Sequence, residues 1–282
     1  MDVIDIADPA DPRLDPFRSL NVADRRPDKG GSGLVIAEGL YVVGRMLLSR
    51  LGTLALAGTG AKLDRLRADL AAEGDDLDAA AGPAPFYRVS NAVLSEVIGF
   101  SSSRDVLSVA PRPEPLMTAD VLGNARTLLV LEGVNDPENI GAIFRGAAGF
   151  GADGVLLGAS TADPWYRRTV RVSMGHVMAV PWARMGGSPT TWQWGLDELH
   201  EAGFATVALT PSSDVTLAEA TNRLGRAGGE GKLALLVGAE GPGLTEHAMR
   251  AASMRAAIPM APGVDSLNVA TAAQIALYER MR

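Results

Sequence analysis

Residues 233–244 read Leu233-Ala234-Leu235-Leu236-Val237-Gly238-Ala239-Glu240-Gly241-Pro242-Gly243-Leu244. The first five are apolar without a break, the pattern of a strand covered on both faces in a parallel sheet. Three glycines and a proline follow within six residues, so the strand runs into a shaped rim with exposed backbone amides. Thr245 then stands where a helix N-cap belongs. In parallel sheets, ligands bind outside the carboxyl ends of strands. The loops that follow strands are therefore the places to search.

Working outward, the apolar pattern predicts further strands at 127–132, 154–157, 205–209 and 256–260, with helices at about 138–149, 191–202, 245–252 and 268–281. Upstream the same alternation predicts strands at 34–37, 53–57, 86–89 and 105–110, with helices at 38–50, 62–73 and from a Ser90 N-cap to Gly99. Residues 1–32 are polar, rich in Asp and Pro, and end in Lys29-Gly30-Gly31-Ser32-Gly33, which reads as a solvated arm with a flexible joint. Pro111-Arg112-Pro113-Glu114-Pro115 reads as an extended spacer. The expected organisation is an arm (1–32), a small α/β domain (33–110), a linker (111–123) and a parallel α/β domain (124–282).

Two other loops share the character of the first. In Leu131-Glu132-Gly133-Val134-Asn135-Asp136-Pro137-Glu138-Asn139-Ile140-Gly141-Ala142-Ile143-Phe144-Arg145, a strand ends at a glycine turn. Asp136-Pro137 then supplies an N-cap with proline at the first helical position. Gly141, Gly146 and Gly149 lie inside that helix, each costing about 1 kcal/mol against alanine, which points to close approach of a backbone, ligand or second subunit. In Ile258-Pro259-Met260-Ala261-Pro262-Gly263-Val264-Asp265-Ser266-Leu267-Asn268-Val269-Ala270, a strand enters a Pro-Gly turn and Asn268 is placed to cap the next helix.

Asn-x-Gly-Ala-x-x-Arg, then Gly-x-Glu-Gly-x-Gly, then Ile-Pro-Met…Ser-Leu-Asn-Val-Ala resembles, in that order, the three motifs of the SpoU family of RNA 2′-O-ribose methyltransferases in the SPOUT superfamily. Arg171-Val172-Ser173-Met174-Gly175-His176 is similar to that family's Arg-x-Ser-x-Gly segment. Residues 34–110 resemble, more loosely, the ribosomal-protein-like RNA-binding domain that often precedes the catalytic one. The resemblance implies a C-terminal parallel sheet tied in a deep trefoil knot, a homodimer, and S-adenosylmethionine as cofactor. It places the cofactor against Thr210, Leu236, Gly238, Ile258, Met260 and Leu267. It makes Arg145 the residue that contacts the target phosphate and helps activate the 2′-hydroxyl, with Asn139, Glu240, Ser266 and Asn268 organising the site. Arg167, Arg168 and Arg171 beside the Arg-x-Ser segment become candidates for RNA backbone contact. Ribosomal RNA is the implied substrate, with transfer RNA as the alternative. A non-catalytic RNA-binding protein on the same fold is the other alternative.

Composition bounds these readings. Hydrophobic residues make up 47% and charged residues 21% of the 282, as in a globular protein. The absence of cysteine excludes disulfides, cysteine zinc sites, iron–sulfur clusters and a thiol nucleophile. His176, His200 and His247 are scattered without zinc-ligand spacing, so no metal is expected. A dinucleotide-dependent enzyme would need Gly-x-Gly-x-x-Gly after the first strand of its domain, and Val134-Asn135-Asp136 supplies none. The glycine-rich run from Arg223 to Lys232 precedes a strand and lacks Ser or Thr after Lys232, so it is no phosphate loop. With no apolar stretch near the ~20 residues of a membrane span and no basic, apolar start, a cytoplasmic protein is expected. The net charge of −7 argues at first against RNA, but residues 1–120 carry 13 basic against 18 acidic side chains and the remainder 13 against 15. The acidity therefore sits away from the expected catalytic half, and RNA must be gripped by local arginines.

Overall fold

The computed structural model describes residues 1–18, 20, 31, 33–100, 106–225 and 231–282. Most of the expected joint at 29–33, the first residue of the strand expected at 105–110 and the middle of the 223–232 run lie outside these residues. The chain forms two units, one of Met1–Glu114 with Pro164–Ala179 and one of Pro115–Asp163 with Val180–Arg282. The Arg-x-Ser segment thus groups with the N-terminal unit, whereas the sequence pattern assigns it to the C-terminal domain.

The first unit carries a five-stranded sheet, β1 (Val3–Asp5), β2 (Leu34–Glu38), β3 (Ala55–Gly58), β4 (Phe86–Arg88) and β5 (Val106–Pro111), in the order β1-β4-β3-β5-β2. Strands β1, β4 and β3 are parallel, and β5 runs antiparallel to β3 and β2. Helices α1 (Leu40–Leu47), α2 (Gly60–Glu73), α3 (Leu77–Ala81) and α4 (Asn91–Ile98) connect them. Helix α4 starts at a Ser90 N-cap and ends at Gly99 in the left-handed region, as its sequence predicts.

The solvated arm is a correction. Val3–Asp5 pairs with β4, and Leu14, Phe17 and Leu20 are buried. Four apolar residues scattered among Asp and Pro (Ile6, Leu14, Phe17, Leu20) pin the segment without showing any regular period. The linker is likewise partly ordered: Thr118–Leu122 forms helix α5, with Val121 and Leu122 buried.

The second unit holds β6 (Thr127–Glu132), β7 (Gly154–Leu157), β8 (Trp182–Arg184), β9 (Phe204–Leu209), β10 (Lys232–Gly238) and β11 (Met254–Ala256). All pair in parallel, in the order β11-β9-β10-β6-β7-β8. Every residue of β6 and the middle of β10 is buried, as a sheet covered on both faces requires. Around them lie α6 (Pro137–Gly149), α8 (Leu196–Glu201), α9 (Leu217–Leu224), α10 (Glu246–Ala251) and α11 (Val269–Met281). Helix α7 (Arg167–Val172) belongs to the first unit.

Helix α11 is anchored at its far end by Arg280, whose side chain is fully buried. Its guanidinium donates to the carbonyl oxygens of Gly225, Gly231 and Arg126 and to Thr127 Oγ1. Near its start, a Cβ on Gly146 of α6 would lie 2.6 Å from Gln274 Cγ, and Gln274 Nε2 donates to Ala142 O at 3.1 Å. That glycine therefore serves packing of α6 on α11. Gly149 has open space around it.

Candidate active site

Strands β6 and β10 are neighbours, yet β6 leads on to β7 on one side while β10 leads on to β11 on the other. Such a reversal opens a crevice at the carboxyl ends of the two strands. The loops 133–136 and 239–244 flank it. β10 pairs with β6 as far as Gly238↔Glu132 but with β9 only as far as Leu236↔Ala208. The end of β10 is thereby free of a ladder on its β9 side.

The rim after β10 folds back on itself. Gly243 N donates to Ala239 O at 2.9 Å, and a Cβ on Gly238 would lie 2.1 Å from Leu244 N and 2.2 Å from the Gly243 carbonyl carbon. Only glycine permits this approach. Gly133 presses on the same rim, since its Cβ would lie 3.1 Å from Ala239 Cβ, and its φ of 69° also suits glycine.

Three of the predicted side chains meet here. Asn139 Nδ2 donates to Glu240 Oε1 at 2.9 Å; Asn268 Nδ2 donates to Asn139 Oδ1 at 2.8 Å and to Glu240 Oε1 at 3.0 Å. Asn268 Oδ1 accepts from Ala270 N and Thr271 N, so the residue also caps α11. The capping role read from sequence and the site role are both filled. This triangle ties the three motif loops together, and Glu240 Oε2 is left without a partner among the described residues.

The loop leaving β11 offers polar backbone that the fold does not use. Ile258, Met260 and Leu267 are half-buried residues, and no hydrogen bond to a described residue engages their N–H groups. Amides without partners suit a ligand with hydrogen-bond acceptors. Thr210 differs: its N–H donates to Ala256 O at 3.0 Å, leaving its carbonyl and its hydroxyl oxygen, which accepts from Ser212 N. Leu236 is fully buried within β10, so it offers the crevice only support from beneath.

Ser266 and Arg145 are exposed, and neither side chain bonds to a described residue. Arg145 follows Asn139 by six helical positions, which is about 240° around α6 and about 9 Å along it. It does not join the triangle of its own chain. Arg167 and Arg171 are turned inward in the first unit: Arg167 pairs with buried Glu38 and lies 5.3 Å over the Phe100 ring, and Arg171 Nη1 is 3.9 Å from Glu38. They do not form the outward basic face that the sequence run suggests. Arg168 is exposed.

One residue that pattern reading does not single out is Glu132, buried at the end of β6. Oε1 accepts from Trp192 Nε1 at 2.6 Å and Thr245 Oγ1 at 2.9 Å, and Oε2 accepts from Thr245 N at 2.8 Å. The signal was an acid at the end of an otherwise apolar strand.

The model of the SpoU rRNA Methylase family matches residues 126–278. The chain belongs to the SpoU family. A relative in Mycobacterium tuberculosis, described as an uncharacterized tRNA/rRNA methyltransferase, is 53% identical over 285 residues, covering 100% of this SpoU chain and 93% of that protein. The 23S rRNA (guanosine-2′-O-)-methyltransferase RlmB of Ralstonia nicotianae is 32% identical over 184 residues, 65% of this chain and 69% of that protein. Among solved structures, an AdoMet-bound rRNA methyltransferase from Sinorhizobium meliloti has a TM-score of 0.73 at 25% identity, covering 99% of this SpoU chain and 97% of its own. Among the described residues, no helix is long and apolar enough to cross a membrane.

Proposed function

We propose that the protein transfers the methyl group of S-adenosylmethionine to a ribose 2′-hydroxyl in RNA, ribosomal RNA before transfer RNA, as a cytoplasmic homodimer. One observation carries this reading: the Asn139–Glu240–Asn268 triangle lies on the same loop system as the unpartnered amides of Ile258, Met260 and Leu267. The adenine and methionine parts of the cofactor carry the acceptors such amides require. The AdoMet-bound relative supports the cofactor, and the 2′-O-methylating relative supports the ribose target and ribosomal RNA.

When bound, S-adenosylmethionine supplies an electrophilic methyl on a sulfonium, and the remaining work is positioning. The loops after β9 and β11 and the end of β10 would hold the cofactor through backbone groups of Thr210, Gly238, Ile258, Met260 and Leu267, with buried Leu236 supporting them from within β10. The triangle fixes those loops relative to one another, and Ser266 presents a free hydroxyl beside it. Arg145 orients the target phosphate and stabilises charge developing on the 2′-oxygen. A guanidinium carries N–H donors and no acceptor, so it does not serve as a simple base.

Arg145 is exposed and makes no bond to its own triangle, which supports a site completed by a second copy. Gly149 and the exposed Tyr278 and Met281 give α6 and α11 an open face for that copy. The deep trefoil knot is part of the same reading, supported by the burial of α11 and its Arg280 anchor. RNA contact falls to Arg168 and to the first unit, with Arg167 and Arg171 contributing by holding α7 in place.

Calorimetric titration with S-adenosylmethionine, followed by transfer of labelled methyl to ribosomal and transfer RNA, tests the reading. Cofactor binding with label on ribose of ribosomal RNA is the expected result. Absence of cofactor binding, or label on a base, would contradict it.

A further inference from the structure

We infer that Glu132 is a positioning residue for the cofactor loop, acting through Thr245; the inference rests on the functional reading above. Glu132 ends β6, the strand beside β10, and its carboxylate takes up both the N–H and the O–H of Thr245. Thr245 Oγ1 in turn accepts from Ala248 N and caps α10. Thr245 directly follows Leu244, whose backbone N abuts Gly238 with no room for a methyl between them. The segment from Gly238 to Thr245 is therefore held at its start by the sheet, at Glu240 by the triangle, and at its end by Glu132. Releasing the last hold lets Leu244 move away from Gly238 and changes the rim that faces the cofactor.

The chemistry at this position is specific to a carboxylate. It needs acceptors on both oxygens, because three donors converge on it: Trp192 Nε1–H, Thr245 N–H and Thr245 O–H. Glutamine has one acceptor oxygen and an amide NH2. Turned either way, it sets its NH2 against a donor: the Thr245 N–H in one orientation, the Trp192 N–H in the other. A buried donor without an acceptor is costly, and at Thr245 the loop end yields. Trp192 sits differently. It braces the carboxylate and packs on Gly158, whose Cβ would lie 2.8 Å from its ring, but it does not belong to the cofactor loop.

The test compares Glu132→Gln, Thr245→Val and Trp192→Phe in the full-length protein by calorimetric titration with S-adenosylmethionine and by thermal melting. Glu132→Gln and Thr245→Val should each weaken cofactor binding, the former by about tenfold or more, the effect of leaving a buried donor without an acceptor. The double variant should be no weaker than Glu132→Gln alone, since both remove one clasp. Trp192→Phe should melt earlier yet bind cofactor within about twofold of wild type. If Glu132→Gln fails to fold, the other two variants decide between them. Cofactor affinity that simply follows melting temperature, with Trp192→Phe as weak a binder as Thr245→Val, would overturn the inference. So would wild-type affinity in Thr245→Val. A wild-type protein that does not bind S-adenosylmethionine contradicts the functional reading and this inference together. A binding wild type with an equally binding Glu132→Gln contradicts this inference alone.

Discussion

Gly238→Ala tests the tightest point of the second unit. The added methyl carbon would lie 2.1 Å from Leu244 N, 2.2 Å from the Gly243 carbonyl carbon and 2.5 Å from Gly243 O. Carbon contacts settle at about 3.5–4.0 Å, so backbone on both sides must part by more than about an ångström. No flexible side chain is available to give way. Overpacking costs about 1–3 kcal/mol, and backbone obstacles place this site at the upper end. For a domain of this size, about 3 kcal/mol lowers the melting temperature by about 6–12 °C. The same displacement reshapes the rim, and if a cost of that size falls on cofactor binding, affinity for S-adenosylmethionine should fall by about a hundredfold. Scanning fluorimetry and calorimetry measure the two effects. Gly186→Ala is the control, because nothing lies within 4 Å of the Cβ it would add. A Gly238→Ala protein with wild-type melting and wild-type affinity would refute the packing argument.

Further outcomes follow from other parts of the structure. Arg280→Met leaves the carbonyls of Gly225, Gly231 and Arg126 without their buried donor, and should cost about 3 kcal/mol or more in chemical denaturation. Unchanged stability would show that α11 is not anchored there. Thr216 N and Oγ1 both donate to Glu219, which holds its carboxyl below the usual glutamate value of 4.5. A lowered folded pKa stabilises the cap fully above the unfolded value and is lost as pH falls through the folded one. Amide exchange in α9 should therefore quicken as pH drops below 4.5, after correction for intrinsic rates, and Glu219→Gln should abolish that dependence. If the site is shared between two copies as proposed, mixing Arg145→Ala with Asn268→Ala protomers should restore about a quarter of wild-type methylation, because half of the dimers are mixed and each of those keeps one intact site of two. No recovery on mixing, with exchange of protomers verified, would place each site within one chain.

Long, strongly patterned elements were legible from residues alone. Strands β6 and β7 lie at 127–132 and 154–157 as read, and α11 begins after its Asn268 cap. Of the three-residue strands, β4 lies within the stretch read at 86–89, whereas β1 and β8 show no period and gain their identity only from a neighbouring strand. Helix α9 was missed although Thr216 and Glu219 form a capping box, a local signal that apolar periodicity passes over. At the site, the motif resemblance implies that Asn139, Glu240 and Asn268 share one site, and the three are hydrogen-bonded to one another. The pairing of Arg167 and Arg171 with Glu38 was not legible, because a basic run looks the same whether it faces solvent or a buried acid. Glu132 went unflagged because its partners, Trp192 and Thr245, are distant in sequence.

The central claim is methylation of ribose in ribosomal RNA by a site built on Asn139, Arg145, Glu240 and Asn268. Mapping 2′-O-methyl groups in total RNA from cells with the protein, without it, and with Arg145→Ala tests it most directly. The account predicts one or a few ribosomal 2′-O-methyl sites that vanish in both altered strains, while purified Arg145→Ala still binds S-adenosylmethionine. An unchanged 2′-O-methyl map on loss of the protein, or full methylation by Arg145→Ala, would contradict it.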